Sequence, residues 1–526
     1  MTITQEAPPG AFISSAADPE KNLPINDTKT GNENTEYDDE NASATSPRTG
    51  NGGVLNRARD IGLKVVRFGR VEVRGIAPIP LKERTVTRTI NVFTLWWSMN
   101  INILGITFGI LGTLIYGLSL RDSALIILFF TLLTTLLPAY LATWGPKLGM
   151  RQLVQARYSF GRYIVSIPVF LNLATMTGFC IIIVIVGGQC LSAVANGTLS
   201  VNVGIIIIAV LGMLISFCGF NTLHMYERFA WIPAIIAIVV AVGCGGQGLK
   251  QQAAPEGPPT PRQVLSFGMI VASYMIPWAD LSSDFTTYIS PEASSFKVFI
   301  YSYLGLAVPT ITLMTLGAAI GGAIPNVPEW QTGYDNTLVG GVLAAMLAPA
   351  GGFGKFLVVL LAFTLLGNLA ATSYSITLNF QMLFPILFKV PRYLFALAFT
   401  AILIPIGIVA AVNFFVNLEN FVALIAYWCA AFLGVVLIDH VVLRKADCIN
   451  GYDVDAWNDS KRLPLGVAAL TACVLSFGLV VPCMDQVWWV GPIAERTGDL
   501  GFELAFVVSA LLYLPLRWVE KRFSGR

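Results

Sequence analysis

Residues Val264–Ile289 read VLSFGMIVASYMIPWADLSSDFTTYI, and the fold turns on how this stretch is understood. It is long and apolar enough to cross a bilayer, which takes about 20 residues. Yet Pro277, Trp278, Asp280, Ser282, Ser283 and Asp284 fall inside it. Proline removes an amide from the helical ladder and its ring clashes with the preceding turn. A carboxylate at membrane depth costs about 2.5–3.5 kcal/mol or more unless a cavity or partner receives it. Irregular backbone survives at that depth where it lines a cavity. The stretch is therefore expected to be a broken helix bordering one.

The whole chain supports a membrane setting. Of 526 residues, 55% are hydrophobic and 12% charged, against roughly 25% charged in soluble domains. An all-α polytopic membrane protein follows. A net charge of +2 gives no footprint for nucleic acid. The eight cysteines show no metal-ligand spacing, and the only histidines are His224 and His440. With no nucleophile–base pair or metal cluster, neither an enzyme nor a cofactor is expected.

Residues 1–53 are rich in Asn, Thr, Ser, Gly and acidic side chains, which predicts a disordered tail. Residues 54–90 form a basic segment leading into the membrane. Twelve apolar stretches follow: 91–118, 123–144, 163–194, 201–220, 229–248, 264–289, 298–324, 353–380, 393–412, 421–440, 466–483 and 502–516. Threaded from a cytoplasmic start, the inside loops hold about 25 lysines and arginines and the outside loops about 5. That asymmetry predicts twelve spans with both termini in the cytoplasm. The sequon Asn196-Gly197-Thr198 then lies outside. Residues 325–352 form an outside connection whose apolar run, Leu338–Leu347, is too short to span and suits a re-entrant or surface half-helix.

The first stretch, NVFTLWWSMNINILGITFGILG, carries Ser98, Asn100 and Asn102 at its middle and Gly105, Gly109 and Gly112 beyond. The glycines suit close helix packing. If spans one to five and six to ten are inverted repeats, spans one and six occupy equivalent places. Interrupted spans at matching positions point to a transporter site. This predicts a ten-helix core over 91–440, a cytoplasmic loop over 441–465, two further helices over 466–516 and a cytoplasmic end over 517–526. Trp278 could stack on a flat heterocycle, and Asn368, in LLGNLAATSYS, offers donors and acceptors to a base edge. Asp280 could take a proton or accept a substrate N–H. Glu227, in HMYERF, reads either as a coupling group or as a surface pair with Arg228.

LWWSMN (95–100), GMRQLVQARYSFGRY (149–163), HMYERFAWIP (224–233), PWADLSSDFTTY (277–288) and NGYDVDAWNDSKRLPLG (450–466) occur in that order. Together they resemble the fungal purine–cytosine permease branch of the nucleobase–cation symporter-1 family, from about Arg74 to the C-terminus. The resemblance implies twelve helices, a five-plus-five inverted-repeat fold with broken helices one and six, and plasma-membrane proton symport of cytosine or purines. Relatives that move pyridoxine and other small heterocycles leave a vitamin or specialised-metabolite carrier as an alternative. By the same resemblance Trp278 matches the aromatic that stacks on substrate, Asn368 the first asparagine of a binding motif, and Ser98 with Asn100 the polar break of helix one. Glu227 matches an acidic residue implicated in function.

The chain departs from the family pattern at several positions. Phe179 stands where tryptophan is usual, Ile183 where an amide is, and Leu369 and Thr372 where further asparagines are expected. Each lost contact to a base edge costs about 1–3 kcal/mol. The departures leave a non-transporting receptor on the same scaffold as the alternative of another class. Asp280 is not expected from the nucleobase pattern and would favour a cationic or amine-bearing heterocycle. Leu366 and Gly367, where sodium-coupled relatives carry hydroxyls, supply no side-chain oxygen for a hard cation. The coupling ion expected is the proton, carried by Asp280 or Glu227. The expected partners are thus a small-molecule substrate, the proton and the lipid membrane.

Overall fold

The computed structural model describes residues 75–526 except 196–197, 218, 256 and 385–391, with backbone alone at 216–217, 219–228 and 392–393. The predicted tail, most of the basic segment, Asn196 of the sequon and the Glu227 side chain lie outside the described residues.

The chain is mostly helical among the described residues. Its helices are α1 (Ile90–Asn100), α2 (Ile103–Leu114), α3 (Leu120–Thr134), α4 (Leu136–Ala142), α5 (Trp144–Leu148), α6 (Gln152–Gln155), α7 (Arg157–Phe160), α8 (Ser166–Val194), α9 (Val201–Phe217) and α10 (Gly219–Gly245). There follow α11 (Pro261–Met275), α12 (Ser295–Ala323), α13 (Pro328–Leu347), α14 (Gly351–Leu383), α15 (Arg392–Ala410), α16 (Phe414–Ile438), α17 (Val467–Val480), α18 (Ala494–Thr497) and α19 (Gly501–Ser524). Two short antiparallel strands, β1 (Asp485–Gln486) and β2 (Trp489–Val490), form a hairpin before α18. Among the described residues six helical segments are long and apolar enough to cross a membrane, and α1 with α2 makes a seventh if the bent pair is one span.

Small residues set how closely these helices pack. A Cβ on Gly109 would stand 1.9 Å from the Met314 carbonyl oxygen, and one on Gly317 would stand 2.2 Å from that of Ile106. Helices α2 and α12 thus meet backbone to backbone, as the glycine spacing of the first span suggested. The connection after α12 is helical too. Its backbone breaks at Thr337 and Leu338, where Leu338 takes φ 48°. Beyond the break Val339, Val342, Leu343, Met346 and Leu347 are buried, and a Cβ on Gly340 would stand 2.3 Å from the Gln189 carbonyl carbon of α8. The short apolar run is therefore a half-helix tucked against α8. At the C-terminal end α19 packs on both α16 and α17, and Ser509 Oγ donates to the Ala431 carbonyl at 2.9 Å.

Candidate functional site

Two interruptions of helical backbone lie beside each other. Between α1 and α2 the axis turns by 57°. Ile101 leaves the helical region (φ −79°, ψ 74°) and Asn102 is extended (φ −150°, ψ 168°). Asn102 bridges the gap: its Oδ1 accepts from the Leu104 amide at 2.8 Å and its Nδ2 donates to the Met99 carbonyl at 2.7 Å. An asparagine competes with the backbone in this way and so favours a cap over a helix interior. Asn100 Nδ2 donates to the Trp96 carbonyl at 2.9 Å, while its buried Oδ1 has no partner among the described residues.

The second interruption begins where α11 stops at Met275. Pro277 cannot continue the ladder, and the chain goes on as two 3₁₀ turns, Ile276–Asp280 and Ser282–Phe285. The indole of Trp96 joins the two breaks, standing edge-on to both Trp278 and Phe285 with ring centres 5.4 Å apart in each case.

Against these breaks lies a narrow cavity of about 30 Å³. Its walls are Leu104 of α2; Asn172, Thr175, Met176 and Phe179 of α8; Tyr274 of α11; Pro277, Trp278 and Leu281 of the turns; and Asn368 and Thr372 of α14. Tyr274 is held edge-on by Phe108, 4.9 Å between ring centres. Two polar groups in this wall are unpaired among the described residues. Asn172 is fully buried with no partner for either amide atom, and the Tyr274 hydroxyl has none. Asn368 is only loosely held: its Nδ2 reaches the Met99 carbonyl at 3.4 Å, and its Oδ1 accepts from Thr372 Oγ1 at 3.2 Å. Thr175 is satisfied, donating to the Leu171 carbonyl and accepting from Trp428 Nε1, both at 3.0 Å. An unmet buried donor or acceptor costs about 1–3 kcal/mol. Several around one apolar space mark a place for a polar guest.

Of the expected site residues, Phe179, Trp278, Asn368 and Thr372 meet in this wall. Ser98, Asn100 and Ile183 do not border the cavity, and neither does Asp280. Asp280 is fully buried and turned toward α16, where Cys429 Sγ donates to its Oδ2 at 3.0 Å. Its Oδ1 has no partner among the described residues, and no described cation pairs with it. Trp278 and Asp280 are two positions apart, so one helical turn cannot aim both into the same space. Asn172, Thr175 and Tyr274 were not singled out from sequence. The signal was spacing: Asn172 lies seven residues before Phe179, two turns along one helix face, and Tyr274 four before Trp278.

One end of the site is closed by the segment joining α5 to α7. Arg151 donates to the Asp284 carbonyl at 2.6 Å and to the Tyr374 hydroxyl of α14 at 2.9 Å. The Gln152 amide donates to Asp284 Oδ1 at 2.8 Å. Ser283 and Thr286 hydroxyls donate to the Leu141 and Ala142 carbonyls, each at 2.8 Å. Behind this closure two distant sequence motifs meet. Arg157 donates to the Trp457 carbonyl and to Asn458 Oδ1, both at 3.1 Å, with its guanidinium over the Trp457 ring. Burial pushes the Arg157 guanidinium down to about 9; Arg162 adds to this and Tyr158 opposes it. It stays charged at neutral pH.

A match to known proteins decides the family. The family described as permease for cytosine/purines, uracil, thiamine, allantoin matches residues 78–491. This chain belongs to that family. It is a transporter and not an enzyme. The permease is 35% identical to purine-cytosine permease fcyB of Emericella nidulans over 461 residues, 87% of this chain and 90% of that protein. It is 31% identical to purine-cytosine permease FCY2 of Saccharomyces cerevisiae over 467 residues, 86% of this chain and 87% of the relative. Its fold is similar to that of Mhp1, a nucleobase-cation-symport-1 family transporter solved in a closed conformation with bromovinylhydantoin bound. That similarity has a TM-score of 0.64 at 18% identity, covering 85% of this permease and 96% of Mhp1.

Proposed function

We propose that this permease imports a flat, polar heterocycle of the nucleobase class across the plasma membrane, coupled to protons. The observation that carries the reading is a cavity whose aromatic walls, Phe179, Tyr274 and Trp278, surround polar groups of Asn172 and Tyr274 that are unpaired among the described residues. A planar guest would stack on Trp278 and offer ring N–H and C=O groups to Asn172, Tyr274 and Asn368. Names of the relatives, both purine-cytosine permeases, fit a guest of this kind.

In this reading the chain makes twelve crossings as two inverted five-helix repeats over 91–440, with α17 and α19 appended and both termini cytoplasmic. Spans one and six are each broken at the site, and the Arg151–Asp284–Tyr374 closure lies on the cytoplasmic side. Asp280, buried beside Cys429 with no cation paired to it among the described residues, is the proton carrier. A lone carboxyl in a dry interior is far easier to bury neutral than ionised, so it gains and loses its proton as water reaches it. Ser98, Asn100 and Ile183 then act on the guest through the shape of the site, and Glu227 contributes to coupling.

The test is uptake in permease-null cells, with radiolabelled cytosine competed by adenine, hypoxanthine and pyridoxine at acidic and neutral external pH. Accumulation above the external concentration, driven by an inward proton gradient and abolished in Trp278→Ala, is expected. Asp280→Asn should remove the pH dependence. A wild-type chain at the cell surface that moves none of the four compounds would overturn the reading.

A further inference from the structure

A second cavity, of about 430 Å³, lies between the end of α16, the 450–464 loop and α19. Its charged lining is Arg444, Arg462, Arg517 and Lys521 against Asp439 and Asp453. Counting Glu520, which pairs with Arg517, four cations face three carboxylates and leave an excess of one positive charge. Arg444 is bound to Asp439 at 2.6 Å, and Arg462 to Asp453. Arg517 is 4% exposed and reaches Glu520 at 2.9 Å, yet its Nε has no partner among the described residues. Lys521 stands one turn further along α19, exposed, with no ion pair to it among the described residues.

The surroundings place this cavity at a membrane surface. On α19 Trp518 is 60% exposed and Phe523 90% exposed, and the Arg522 guanidinium lies 4.7 Å from the Trp518 ring centre. Tryptophan flanked by arginine is the usual chemistry of the interfacial belt. Guanidinium forks and a flexible ammonium suit a phosphate better than a lone carboxylate. Anionic headgroups are concentrated on the cytoplasmic leaflet, the side to which the proposed orientation assigns this face.

We infer that the cavity between α16, the 450–464 loop and α19 binds a phosphate monoester, with Arg462, Arg517 and Lys521 as its donors. The group comes from an anionic lipid headgroup or from a soluble phosphate ester. The experiment uses the purified full chain in detergent, with dioctanoyl phosphatidic acid, glycerol 3-phosphate and dioctanoyl phosphatidylcholine as probes. Wild type and the double variant Arg462→Gln/Lys521→Gln are compared by a direct binding titration. Both side chains are exposed, so the variant keeps the fold, which its Tm checks. Saturable binding of a monoester, weakened tenfold or more in the double variant, is expected. A tenfold preference for phosphatidic acid over glycerol 3-phosphate identifies a lipid source, and equal affinity a soluble one. Absence of saturable binding, equal binding by the variant, or equal binding of phosphatidylcholine overturns the proposal. Trp278→Ala should bind the probe as wild type does, so this result stands apart from the outcome of the uptake assay.

Discussion

The central cavity and the junction below β1 and β2 are both buried and both polar, but they treat polar atoms in opposite ways. At the junction Asp499 is fully buried and saturated. Its Oδ2 accepts from the Tyr427 hydroxyl, from Gln486 Nε2 at 3.1 Å and from the Asp485 amide at 2.9 Å, and its Oδ1 accepts from the Gly501 amide at 2.9 Å. Ser266 of α11 joins by accepting from the Asp499 amide at 3.3 Å. Five segments are tied together with no donor left over at the carboxylate. In the cavity, the side-chain polar atoms of Asn172 and Tyr274 are unpaired among the described residues. The first arrangement is finished by the protein itself. The second presents polar atoms that another molecule could meet, which is the reason to assign it to function.

The contrast is broken or sharpened by substitutions whose signs differ. Asp499→Ala should have the largest effect. Each orphaned donor costs about 1–3 kcal/mol, and with several lost together the chain should lose roughly 3–5 kcal/mol, as for other broken buried networks. A thermal melt in detergent checks this, and an unchanged Tm would mean the junction is not the clamp it looks like. Asn172→Leu should go the other way. It removes two unmet polar atoms at similar volume, so the empty protein should keep its stability or gain about 1–3 kcal/mol. A fall in Tm matching that of Asp499→Ala would show Asn172 to be structural.

The smallest effect is one of pH. Burial raises the Asp499 carboxyl above the ordinary range, against hydrogen bonds from Tyr427, the Asp485 and Gly501 amides and Gln486 that lower it. A folded-state value raised in this way means the folded chain holds the proton more tightly than the unfolded one. The stability it contributes is complete in acid and is lost as pH climbs from about 4 through the folded value. The deficit of Asp499→Asn relative to wild type should therefore shrink between pH 4 and 7; a deficit that grew would reverse the assignment.

Much of this was legible where local chemistry decides the backbone. Pro277 removes an amide just past the end of α11, although Pro309 and Pro515 lie inside continuous helices, and Asn102 caps α2 because its side chain reaches its own backbone. The glycine spacing in the first span pointed to close helix packing, but not to α12 as the partner. The lining of the cavity was harder to read, because it depends on which faces of separate helices converge. Phe179 drew attention by its departure from a family pattern, while Asn172, two turns away on the same face, carried no local mark. Asp280 stood out as a charge in an apolar run, yet its direction, toward Cys429 rather than the cavity, is fixed by the 3₁₀ turn that follows the proline. The clusters around Asp439 and Asp499 join residues as much as 286 positions apart, a distance at which sequence spacing says nothing.

The central claim is that the cavity's unpaired amide exists to meet a guest. It is tested most directly by equilibrium binding of radiolabelled cytosine and adenine to purified wild-type chain and Asn172→Leu in the same detergent. Loss of one or two hydrogen bonds to the guest, about 1–3 kcal/mol, predicts binding weakened roughly five- to 150-fold in a variant that melts no lower than wild type. Equal affinity in the two proteins would contradict the account.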